Sequence, residues 1–170
     1  MRRVVLFVFF LFLSLSQGAF AQNAETSDDS KGSTGLPLPR FASLRANEVN
    51  MRAGPGTRYP IEWVYTKEGL PVEIIAEYDV WRRISDWKGN KGWVHKSTLS
   101  GKRTMIVSGG RHDIHKEPRD DSAVIAHADE DSMGRLLSCK EIWCEVSFDD
   151  IDGYMKKDDF WGAYDQETLH

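Results

Sequence analysis

Cys139 and Cys144 are the two residues of the chain best suited to covalent chemistry. A thiolate nucleophile needs a histidine base beside it and a third group to orient the imidazole. Only His170 follows the cysteines in sequence. His112 and His115 stand three apart, a spacing that shares a face on a helix and splits to opposite faces on a strand. With no further ligand cluster nearby they read as surface residues on a turn. Two cysteines alone cannot complete a four-ligand zinc site. Asp129-Glu130-Asp131, Asp149-Asp150, Asp152 and Asp158-Asp159 carry the oxygens that calcium takes, but without the fixed spacing of a calcium loop. The residues therefore require no metal and no cofactor.

The aromatic residues point to binding instead. Ile61, Trp63 and Tyr65 alternate onto one face of a strand, with Glu62 and Val64 on the other. Along Trp81 to Ile84, Trp81 falls on the face opposite Ile84. Both faces cannot pack inward, so part of this aromatic surface is expected to be exposed near Arg52, Arg58 and Arg83. Aromatic and arginine side chains together are what a binding groove uses. The candidate binding residues are Arg52, Arg58, Tyr59, Trp63, Tyr65, Trp81 and Trp93.

The elements that must position these residues are short. Arg2 and Arg3, the apolar run Val4 to Leu15 and Ala19-Phe20-Ala21 follow the order of a secretory signal peptide over residues 1–21, cleaved between Ala21 and Gln22. A spanning helix needs about 20 apolar residues, so this run is too short for a permanent membrane anchor. Residues 22–40 are rich in Ser, Thr, Asp, Gly and Pro and read as a flexible tether. Beyond them, runs such as Leu70 to Ala76, Trp81 to Ser85 and Gly92 to His95 alternate between turn-forming stretches, which predicts an all-β chain.

Removing residues 1–21 leaves 20 basic and 26 acidic residues, a net charge of −6. Residues 41–100 are net +2 and residues 101–170 net −7. No strongly basic face is announced, so nucleic acid is excluded as a partner. The asymmetry suggests two units with different surfaces.

The chain also repeats itself. Met51 to Pro55 matches Ile114 to Pro118, Trp81-Arg82-Arg83-Ile84 matches Trp143-Cys144-Glu145-Val146, and Gly92-Trp93-Val94 matches Gly153-Tyr154-Met155, at offsets of 63, 62 and 61 residues. The second copy has lost the first-turn glycines of the first. Asn50, Gly54 and Gly56 suit positive backbone angles in a tight loop, with Pro55 to stiffen it.

Val49 to Gly56, then Gly69, Trp81 to Ile84 and Gly89…Gly92-Trp93-Val94-His95 resemble the bacterial SH3-like domain. Arg58-Tyr59-Pro60-Ile61, Gly69-Leu70-Pro71-Val72 and Trp161-Gly162 resemble a secreted subgroup of that family. The resemblance implies two small, strongly bent SH3-like β-barrels in tandem, at residues 41–101 and 102–165. It also implies a periplasmic or secreted, non-catalytic module that contacts peptidoglycan or its stem peptides, with an adaptor for another envelope protein as the alternative. Such modules often accompany cell-wall cysteine peptidases, but two barrels leave no residues for a catalytic domain.

Two cysteines in a secreted chain read as one disulfide. Aligning the copies through their tryptophans places Cys139 on Glu77 and Cys144 on Arg82. A hairpin that pairs 77 with 82 also pairs Ile75 with Ile84, and its counterpart pairs Leu137 with Val146. One cross-strand position would then hold an ion pair in one barrel and a covalent bond in the other.

Overall fold

A computed structural model describes residues 32–170. The leader, its Ala21–Gln22 boundary and the first part of the tether lie outside the described residues. The short alternating runs form fourteen strands and, among the described residues, no α-helix. In the first half they are β1 (Arg40–Leu44), β2 (Val49–Arg52), β3 (Ile61–Tyr65), β4 (Pro71–Tyr78), β5 (Trp81–Ser85), β6 (Lys91–His95) and β7 (Leu99–Ser100). In the second they are β8 (Thr104–Val107), β9 (His112–His115), β10 (Val124–Ala128), β11 (Met133–Lys140), β12 (Trp143–Phe148), β13 (Ile151–Lys156) and β14 (Phe160–Trp161).

The strands pair antiparallel in the orders β3-β2-β6-β5-β4-β1-β7 and β10-β9-β13-β12-β11-β8-β14. Adding seven to each number of the first order gives the second, so the repeat read in sequence is a repeat of topology. Each sheet curls around its own core. Leu44, Val49, Val72, Ile84 and Val94 fill the first. Met105, Val107, Ile114, Val146 and Met155 fill the second.

The curl has a local cause. Ile84 faces Ile74, not Ile75 as the regular hairpin predicted, and the next pair is Ala76 with Arg83. Val146 likewise faces Leu136, not Leu137, before Ser138 pairs with Glu145. One extra residue, Ile75 or Leu137, thus bulges from the long strand of each barrel. A bulge bends the strand and increases its twist, which small barrels need to close. The expected pairs beyond the bulges are present: Glu77 with Arg82, and Cys139 with Cys144.

Two glycines and an asparagine of the first turn act differently from the sequence reading. Gly54 and Gly56 do not adopt positive φ, and Asn50 sits in β2. Gly54 instead makes room for Tyr59, whose ring lies 2.5 Å from where a Cβ would stand. Gly92 and Gly153 admit the neighbouring strand: a Cβ there would lie 3.0 Å from the Arg52 carbonyl and 2.8 Å from the His115 carbonyl, respectively.

The last residues of the predicted tether are held against the first barrel. The Thr34 amide and hydroxyl donate to Glu77 at 2.8 and 2.9 Å, and the Ser33 hydroxyl at 3.1 Å. The two barrels also touch. Phe41 packs edge-on to Trp161, with centroids 4.9 Å apart, and against Tyr164 at 4.7 Å. The Tyr164 hydroxyl donates to Glu73 at 2.9 Å, and Thr104 Oγ1 donates to the Gly69 carbonyl at 2.6 Å. The Trp161-Gly162 motif therefore serves the junction between the repeats.

Candidate functional site

Antiparallel register assembles a row across the outside of the first barrel. Arg52 on β2 faces Trp93 on β6, and Trp93 faces Arg83 on β5. One step along, Trp81 faces His95. Arg52 Nη1 donates to the Tyr59 carbonyl at 2.7 Å and to the Thr57 carbonyl at 3.2 Å, so the β2–β3 loop fixes the guanidinium. Arg58 reaches back over the Tyr59 ring, 5.2 Å from its centroid.

A cavity of about 240 Å³ opens beside this row, lined by Glu48, Asn50, Arg52, Thr57, Trp81, His95 and Thr98. Trp81 forms a wall rather than an exposed platform: it is 9% exposed and meets the His95 ring edge-on at 5.6 Å. The Ser97 amide donates to His95 Nδ1, so neutral His95 carries its proton on Nε2. A guanidinium, a carboxylate, an amide and an aromatic wall can together hold a polar peptide by ion pairing and hydrogen bonding.

The structure brings Arg52 and Trp81 together in this cavity and leaves Trp93 half-buried in the adjoining row. Arg58 is exposed and Tyr59 half-buried on the loop above. Trp63 is 51% exposed on β3, outside the cavity. Tyr65 is a core residue and not part of the expected binding face. It is 3% exposed, and its hydroxyl donates to Asp86 Oδ2 at 3.0 Å. Burial, reinforced by the Asp86 charge and hydrogen bond, pushes its phenol well above the ordinary range. Trp63 and Tyr65 keep regular register against Met51 and Val49 and share one face, their rings 6.5 Å apart. That face is buried at Tyr65 and half exposed at Trp63, and the bulge in β3 separates only Ile61 from the alternation.

Glu48, Asn50 and His95 were missed, although Glu48 and Asn50 precede Arg52 at intervals of two and His95 follows Trp93 by two. That spacing places them on one strand face and was readable.

The other chemical candidates are occupied within the fold. Cys139 and Cys144 form a disulfide in the second core. His112 and His115 lie on β9, not on a turn. His112 Nδ1 sits 3.0 Å from Asp159, and His115 packs edge-on to Trp143 at 5.3 Å. Among the described residues no group of three His, Cys, Asp or Glu is arranged to hold a metal. No helix among them is long and apolar enough to cross a membrane.

Two small antiparallel barrels of one topology, joined end to end, define a tandem SH3-like protein. The family model described as bacterial SH3 domain matches residues 45–101 and 109–162, well over half of the chain, and the chain belongs to that family. No curated protein matches it. Among solved structures it is similar to NlpC1 from Trichomonas vaginalis, with 14% identity over 74% of this chain and 46% of that one, at a TM-score of 0.35. It is similar also to NlpC2 from the same organism, with 15% identity over 76% and 50% and the same TM-score. The chain spans about half the length of these two structures.

Proposed function

We propose that the chain is a non-catalytic binding protein of the bacterial envelope, periplasmic or secreted, whose first barrel contacts peptidoglycan through the carboxylates of its stem peptides. The observation that carries this reading is the loop-fixed Arg52 at the mouth of an aromatic-walled cavity. A guanidinium held by two carbonyls keeps its remaining donors oriented for a carboxylate, which lowers the ordering cost of binding. Family membership and a disulfide, which persists in oxidising compartments, support the envelope setting.

Retention of the mature chain on purified, protein-free sacculi tests this. Arg52→Gln should cut retention at least tenfold while thermal unfolding reports whether the loop survives. Full retention by a folded Arg52→Gln variant would sink the reading. The adaptor alternative has its own support in Ile61, Trp63 and Val64, all exposed on edge strand β3. It predicts retention only on envelopes that still carry proteins, abolished by Trp63→Ala.

A further inference from the structure

The second barrel repeats the aromatic frame of the first with different charges. Trp143 stands where Trp81 does, and Tyr154 where Trp93 does. Glu145 replaces Arg83 between Ser138 and Tyr154, and His115 replaces Arg52 opposite Tyr154. Around this frame lies a cavity of about 380 Å³, lined by Pro118, Ser138, Lys140, Glu141, Trp143, Glu145 and Tyr154. That volume falls within the range of small-molecule sites, about 300–1,000 Å³.

We propose that this cavity is a second binding site, for a primary alkylammonium group such as a lysine-type side chain of a peptide. Glu145 is half-buried, and Ser138 Oγ donates to its Oε2 at 3.1 Å, which orients the carboxylate and occupies one of its two oxygens. Indole and phenol faces attract cations, and Trp143 and Tyr154 both line the space around this carboxylate. The protein already shows the preference of this indole: Lys156 Nζ sits 5.4 Å from the Trp143 centroid while paired with Asp120. Trp143 lines the cavity and Lys156 does not. Pro118 supplies apolar surface for the methylene stem. Lys140 opposes a cationic guest, but Glu141 and Glu145 outnumber it. In the first barrel Arg52 and Arg83 would repel the same guest.

The test is titration of the folded, disulfide-bonded chain with Nα-acetyl-lysine methylamide, followed by backbone amide shifts, with the norleucine analogue as the neutral control. The lysine probe should shift the amides of Trp143, Glu145 and Tyr154 saturably, and the norleucine probe should bind at least tenfold more weakly. Glu145→Gln should weaken lysine binding at least tenfold, Glu145→Asp should restore part of it, and Lys140→Gln should strengthen it several-fold. Equal binding of the two probes, shifts confined to the first barrel, or weaker binding by Lys140→Gln would each overturn the proposal. Arg52→Gln should leave this binding unchanged, so its outcome is separate from that of the sacculus experiment.

Discussion

Glu77 and Cys139 occupy the same position on equivalent strands, and each anchors a segment that lies outside its hairpin. Glu77 faces Arg82, with Arg82 Nε 3.3 Å from its carboxylate. Arg40, Thr34 and Ser33 approach the same carboxylate from the amino-terminal side. Cys139 is bonded to Cys144, and its backbone exchanges hydrogen bonds of 2.9 and 3.1 Å with Leu169 near the carboxyl terminus. One hairpin position thus closes each barrel, by ion pairing in the first and by a covalent bond in the second.

The ion-paired version should be acid-sensitive. Burial alone would raise the Glu77 carboxyl, but hydrogen bonds from Arg40, Thr34 and Ser33 outweigh it and hold the group at about 2, against an ordinary 4.5. A folded value below the unfolded one gives stability that is complete above about pH 4.5 and is lost as pH falls toward 2. The thermal midpoint should decline across that window. Glu77→Gln should flatten the decline and, by leaving Arg82 buried without its partner, lower stability at pH 7 by about 3 kcal/mol. An unchanged slope in the variant would show that other carboxylates carry the effect.

The covalent version should be worth less than its chemistry suggests. Closing so short a loop removes little unfolded-state entropy, and the stabilisation should be about 2 kcal/mol. Intact mass of unreduced protein should be two hydrogen atoms below the reduced form, and iodoacetamide should leave it unmodified. Reduction should lower the single unfolding midpoint of the parent, and in the Phe41→Ala variant it should lower only the transition of the second barrel.

How much of this was legible in the sequence differs by residue. The pairing of Cys139 with Cys144 followed from their being the two cysteines of the chain, and its cross-strand position from aligning Trp81 with Trp143. The bulges at Ile75 and Leu137 were not legible. An inserted residue changes the pairing without breaking the apolar pattern, and Ile74, Ile75, Leu136 and Leu137 are all apolar. Arg52 and Trp81 were found as candidates because their types are unusual. Tyr65 was misplaced because alternation places it on one face with Trp63 but does not say which face turns inward, and opposite the buried Val49 it is Tyr65 that enters the core. The junction of Phe41, Trp161 and Tyr164 was missed because contacts between repeats leave no periodic trace within either.

Gly153 should not tolerate a side chain. An added Cβ would press on Ile114 and stand 2.8 Å from the His115 carbonyl, and backbone cannot retreat as a side chain can. Gly153→Ala should cost about 3 kcal/mol, the upper end for overpacking. Gly89→Ala serves as a contrast, since nothing lies within 4 Å of its Cβ position and only its φ of +83° resists the change. Chemical denaturation of both variants should show the larger loss at Gly153.

The junction between barrels should make them unfold together. Phe41→Ala removes a ring packed against Trp161 and Tyr164 and should cost about 3 kcal/mol. Tyr164→Phe keeps the ring and loses only the hydrogen bond to Glu73, about 1 kcal/mol. Calorimetry of the parent should give one transition, and Phe41→Ala should separate it into two. A single transition in that variant would place the coupling elsewhere.

Tyr65→Phe separates scaffold from binding surface. The Tyr65 hydroxyl is buried and donates to Asp86 Oδ2 at 3.0 Å. Asp86 in turn accepts the Lys88 amide at 3.0 Å and the Asn90 amide at 2.8 Å, which shapes the β5–β6 turn. Removing the hydroxyl leaves a buried carboxylate short of one donor while its other hydrogen bonds persist. The loss should be about 2 kcal/mol, within the range for an unsatisfied buried acceptor. Because Tyr65 does not line the Arg52 cavity, sacculus retention at a temperature where the variant is folded should match the parent. A fall in retention without a fall in stability would return Tyr65 to the binding surface and require β3 to lie differently.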